Sequence, residues 1–166
     1  FYYYHIPALT DVSLDMVEFL QQGASRIPSL VGIKYTEPLL HEFQRCREFD
    51  GGKFDIVWGC DEMLLGALAT GAKAAIGSTY NVAAPLFLRM IDAFNAGRLD
   101  EAQRLQFLAV QMVNALATYP YHPAMKELLK MLGRDFGPCR LPMTGLSSEE
   151  VDALRTNLEA IGFFEW

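Results

Sequence analysis

Apolar and polar positions along the chain alternate between two periods. Short β-branched or aromatic runs each give way to a longer stretch with helical spacing. Phe1 to Ile6 reads as a first strand, and Ser13 to Gln22 as the helix after it, with Gly23 as its stop. Leu30 to Tyr35 is a second strand. Thr36 is a possible cap for the next helix, and Pro38 suits its first turn, where a missing N–H costs nothing. Gly51 and Gly52 close that unit, and Phe54 to Trp58 makes a third strand. Asp61 is placed to cap a helix running to Thr70, with Gly71 at its end. Ala74 to Ile76 gives a short fourth strand, and Asn81 caps a helix that reaches Ala96 and ends at Gly97. Beyond this the pattern is helical only: Leu99 to Ala117, Pro123 to Leu132, and Ser147 to Ile161. The last opens on a capping box of Ser147 and Glu150.

Strands alternating with helices imply an α/β fold with a parallel sheet and right-handed crossovers. Four such units alone leave two open sheet edges, a liability in water. Closure into an eight-stranded barrel removes both edges but needs four more units. The chain opens without Met on Phe1-Tyr2-Tyr3-Tyr4, which reads as mid-strand, so a fragment is expected. The expected fold is therefore the second half of a (β/α)8 TIM barrel over residues 1–97, followed by a C-terminal helical extension over 98–166 packed on it, the two forming one domain. A self-contained doubly wound domain is the alternative the pattern leaves open.

Composition narrows the function classes. With 166 residues, half of them apolar, the chain is globular and not disordered. A net charge of −6, with 14 dispersed basic residues, argues against a nucleic-acid partner and against a polybasic membrane patch. Cys46, Cys60 and Cys139 are odd in number and far apart, suggesting neither a disulfide framework nor a zinc site. A reducing, cytoplasmic location fits best. The N-terminus lacks a basic region and a cleavage site, and the most apolar helix is interrupted by Gln106, Gln111 and Asn114. Neither a signal peptide nor a membrane span is expected. His5, His41 and His122 show no metal spacing and read as structural.

Lys34 carries the first chemical signal. It sits in the apolar run Ser29-Leu30-Val31-Gly32-Ile33-Lys34-Tyr35-Thr36, where a lysine without a partner or a task is rare. Desolvation favours the neutral, nucleophilic amine over the ammonium. The bland alternative is a lysine at a strand end that snorkels to water. Period-2 alternation puts Gly32, Lys34 and Thr36 on one face, with Val31, Ile33 and Tyr35 on the other. With Lys34 in a barrel lumen, the apolar set would pack outward against helices and the amine would be kept from bulk water. Further polar clusters end the other strands: Tyr4-His5, Gly59-Cys60-Asp61-Glu62 and Gly77-Ser78-Thr79-Tyr80-Asn81. Each has a bland reading: Tyr4 as core, Asp61 as cap, Glu62 as first-turn charge, Ser78 as turn.

Tyr4-His5-Ile6-Pro7-Ala8-Leu9-Thr10, Gly32-Ile33-Lys34, Gly59-Cys60-Asp61-Glu62 and Gly77-Ser78-Thr79-Tyr80-Asn81 together resemble the dihydrodipicolinate synthase superfamily of class I aldolases, in its N-acetylneuraminate lyase branch. The resemblance covers essentially the whole chain and corresponds to the second half of the superfamily's barrel. It implies that Lys34 is the Schiff-base lysine and Tyr4 the proton-relaying phenol. It further implies that Thr36, Gly59, Asp61, Glu62 and Ser78 bind the hydroxylated tail of a sugar acid. The implied activity is cleavage of N-acetylneuraminate to N-acetylmannosamine and pyruvate, with no cofactor beyond the covalent imine, in a homotetramer with only small-molecule partners. The Gly-Thr-Thr-Gly-Glu type loop that holds the pyruvate carboxylate is absent from this sequence, so the 166 residues alone are expected to be inactive. Another 2-keto-acid sugar aldolase and a non-catalytic half-barrel interaction module are the alternatives.

Overall fold

A computed structural model describes all 166 residues as two compact units, Phe1–Gly77 and Ser78–Trp166. The expected division at residue 97 follows the strand–helix repeat. The compact units instead group the helix before it with its helical neighbours.

In the first unit, β1 (Tyr2–His5), β2 (Gly32–Tyr35) and β3 (Asp55–Trp58) form a parallel sheet in the order β1-β2-β3. The expected fourth strand is reduced to one parallel bridge, Ala75 opposite Trp58. Trp58 N–H donates to the Ala74 carbonyl and Ile76 N–H to the Trp58 carbonyl. Both bonds go to Trp58, the last residue of β3, so the pairing stops where β3 does.

Alternation works as the sequence implied for β2. Ile33 and Tyr35 are buried on the face that meets α3 (Leu40–Glu48), and Tyr35, Phe43 and Trp58 form an aromatic cluster with centroids 5.1 to 6.2 Å apart. Val31 departs from that set and is exposed, because the strand begins only at Gly32.

In the first unit, helix ends differ from the sequence reading in four places. The first crossover contains a short helix α1 (Pro7–Thr10) before α2 (Met16–Arg26), so α2 begins later than Ser13. Asp15 is its cap, accepting from Val17 N–H at 2.8 Å and Glu18 N–H at 3.0 Å, and Gly23 lies buried within the helix instead of ending it. Thr36 caps nothing: α3 is preceded by Leu39. Asp61 is not a cap either; it heads a 3-10 turn, Asp61–Met63, ahead of α4 (Leu64–Ala69), with Cys60 in the cap position.

Asp15→Ala should lower stability by about 1 kcal/mol, the usual worth of such a cap, measured by urea unfolding at neutral pH. The amides of Glu18 and Val17 and the Arg45 guanidinium hold the Asp15 carboxyl below its ordinary value. A carboxyl held low in the folded state contributes above its unfolded value and loses that contribution as pH falls. The gap between parent and variant should therefore close in acid, and a gap that persisted there would contradict the capping role.

The second unit is helical. It comprises α5 (Tyr80–Asn95), α6 (Leu99–Ala117), α7 (Tyr121–Met131) and α8 (Ser148–Ala160), and Gly97 ends α5 at φ 72°. Thr79, not Asn81, precedes α5, and the Asn81 amide donates to the Ser78 carbonyl at 3.0 Å. Pro85 inside α5 removes a donor and crowds the preceding turn, and Ala83 departs from helical geometry there. Leu86 and Met90 of α5, Ala109, Met112 and Leu116 of α6, Leu128 of α7, and Leu154 and Leu158 of α8 are wholly buried. No helix is long and apolar enough to cross a membrane.

Candidate active site

Register sets the centre of the site. Tyr4 stands opposite Lys34, and Lys34 opposite Val57, so these side chains share the sheet face that turns away from α3. Lys34 Nζ lies 4.2 Å from the centroid of the Tyr4 ring. One layer down, Tyr2 donates to Asp55 Oδ2 at 2.6 Å, from β1 to β3 across Gly32. Gly32 has no alternative: a Cβ there would overlap the Asp55 carbonyl. A cavity of about 440 Å³ opens on this face, lined by Tyr2, Tyr3, Tyr4, Lys34, Asp55, Val57, Ala74 and Ile76. Its lining is mostly apolar, with one amine in it.

The expected exclusion of water from Lys34 is not met within these residues. Lys34 is half-buried and Tyr4 is 45% exposed. The physical reason is plain: three strands and a bridge cover one side of a cavity and leave the other open.

Above Lys34, two glycines make room for two polar side chains. A Cβ on Gly59 would overlap Thr36 Oγ1, so the hydroxyl lies directly against the β3 end. That Thr36 oxygen is buried and has no hydrogen-bond partner, an expense usually explained by a ligand or a water. A Cβ on Gly77 would overlap the Asp61 carboxylate, which explains how a charged residue 5% exposed fits there. Glu62, its neighbour, is exposed. Cys60, between Gly59 and Asp61, is no nucleophile: burial, reinforced by the charges of Glu62 and Asp61, pushes its thiol up to about 12.

Lys34 and Tyr4 are thus brought together, as are Thr36 with Gly59 and Asp61 with Gly77. Ser78 opens the second unit, exposed, with its hydroxyl 2.8 Å from that of Tyr121. Sequence reasoning missed Tyr121, because the helix was expected to start at Pro123; a tyrosine at the true first position is the signal it passed over. His5, read from the sequence as structural, is buried with Nε2 2.9 Å from Glu37 Oε2.

The Dihydrodipicolinate synthetase family matches residues 2–161, and the chain belongs to that family. Within it, the chain is similar to N-acetylneuraminate lyases. That of Xenopus tropicalis is 37% identical over 161 residues, which are 95% of this chain and 52% of the relative. The structure of Proteus mirabilis N-acetylneuraminate lyase matches with a TM-score of 0.92 at 38% identity, covering 98% of this chain and 55% of that one. The Aliivibrio salmonicida enzyme, also called sialic acid aldolase, matches at 0.92 and 40%, covering 98% and 54%. The chain therefore spans about half the length of the curated relatives it matches.

Proposed function

We propose that this chain is the lysine-bearing half of a (β/α)8-barrel class I aldolase that cleaves N-acetylneuraminate to N-acetylmannosamine and pyruvate through an imine at Lys34. The observation that carries the reading is the Lys34 amine set over the Tyr4 ring in a mostly apolar cavity. Breaking a carbon–carbon bond next to a ketone releases an electron pair that needs a sink, and a protonated imine supplies one. Lys34 Nζ attacks the C2 carbonyl of the open-chain sugar acid, and its oxygen leaves as water. The C4 hydroxyl gives up its proton, with Tyr4 as the relay, and becomes the aldehyde of N-acetylmannosamine. The C3–C4 electron pair passes to the imine, forming an enamine. Protonation at C3 and hydrolysis release pyruvate and restore the amine.

The polyol tail asks for several donors and acceptors. Thr36, whose buried hydroxyl lacks a partner, and the carboxylates of Asp61 and Glu62 supply both kinds beside Gly59. Each such contact is worth about 1–3 kcal/mol when its loss strands a buried group. No metal or organic cofactor enters this scheme, and every partner is a small molecule.

The test joins this chain behind the first half of the Xenopus tropicalis lyase. The joined barrel should release N-acetylmannosamine from N-acetylneuraminate and leave other 2-keto-acid sugars largely intact, while the 166 residues alone should cleave nothing. Cleavage by the 166 residues alone, or preference for another sugar acid, contradicts the reading.

A further inference from the structure

We propose that His5, Tyr35 and Glu37 form a positioning network behind the Lys34 face, fixing where the Tyr4 ring and the Thr36 hydroxyl stand; this deepens the lyase reading and rests on it. Side chains alternate, so each functional residue has a neighbour pointing the other way: Tyr4 is followed by His5, and Thr36 lies between Tyr35 and Glu37. These positions are strand ends. Thr36 N–H donates to the His5 carbonyl at 2.8 Å, and beyond that rung the chain leaves the ladder at Pro7 and Pro38.

The next tie between the strands is through side chains. His5, 2% exposed, places Nε2 at 2.9 Å from Glu37 Oε2. A carboxylate only accepts, so Nε2 carries the proton and donates. His5 Nδ1 is buried with no partner, leaving the ring held by this single bond. The Tyr35 hydroxyl donates to the same Glu37 oxygen at 3.5 Å, and its ring lies 5.1 Å from that of His5. Burial, with the Glu37 charge beside it, pushes the Tyr35 phenol up, so it remains a donor. Glu37 thus gathers two strands behind the site.

Lys34 needs no such help, since ladder partners flank it on both sides. The network should therefore govern the bond-breaking step, where Tyr4 and Thr36 act, and leave imine formation at Lys34 alone.

In the joined barrel, Glu37→Leu and His5→Phe should each lower kcat about tenfold, the scale of a small misplacement of a reacting group, with the rate of borohydride-trapped imine unchanged. The double variant should lose no more than either single one, and Glu37→Gln, whose amide oxygen still accepts, should recover most of the loss. Turnover at the parent level in Glu37→Leu, or equal losses in both steps, overturns the proposal. A parent that traps no pyruvate overturns the lyase reading and this one with it. Nitrogen-15 NMR of the unaltered 166-residue chain decides independently of catalysis: the Nε2–H tautomer of His5 is expected, and an Nδ1–H tautomer overturns the network.

Discussion

Lys34→Ala in the joined barrel is expected to lower turnover of N-acetylneuraminate by at least about a thousandfold, or ~4 kcal/mol of barrier. The size follows from the role: without the amine there is no imine, and the departing electron pair has nowhere to go. Lys34→Arg should fare no better, because a guanidinium keeps the charge and the reach but forms no imine under these conditions. A merely electrostatic lysine would be largely rescued by arginine. Steady-state kinetics of the two variants, with circular dichroism to confirm folding, separates the cases. Substantial activity in the arginine variant contradicts covalent catalysis.

Gly32→Ala carries the largest expected stability effect. The added methyl would point into the backbone carbonyl of Asp55 on the neighbouring strand, not into the end of a flexible side chain. Relief requires β2 and β3 to separate at the centre of a three-stranded sheet, which also breaks the Tyr2–Asp55 bridge spanning that position. Forcing atoms into such a place costs ~3 kcal/mol or more, a large share of the stability of a small domain. Gly145→Ala is the control, since nothing lies within 4 Å of a Cβ there and its φ is not positive. Urea unfolding of both should show a loss confined to Gly32→Ala. Equal behaviour would mean that the sheet accommodates the methyl.

Much of the architecture could be read from period alone. The helix expected over Leu99 to Ala117 is α6 with the same ends, and the Ser147–Glu150 capping box is present at α8. Both signals are local, made by residues within one or two turns. Misreadings came where a local signal had a competitor. The helix expected from Ser13 starts at Met16, because Asp15 caps it; Asp61 looks like a cap and is instead a buried carboxylate, because Gly77 opens space beside it.

The candidate site divides along the same line. That Gly32, Lys34 and Thr36 share a face follows from the pleat, but that Tyr4 is the residue opposite Lys34 depends on register, which the sequence of one strand does not carry. The His5–Glu37 pair was invisible for this reason, its members being 32 residues apart and joined only by strand pairing.

The most direct measurement is to incubate the joined barrel with pyruvate, reduce with borohydride, and map the modified residue by peptide mass spectrometry. Lys34 in its Gly32-to-Tyr35 strand is expected to carry the reduced adduct, and to carry it alone. An adduct on Lys53, Lys73 or any other lysine, or none at all, would contradict the central claim.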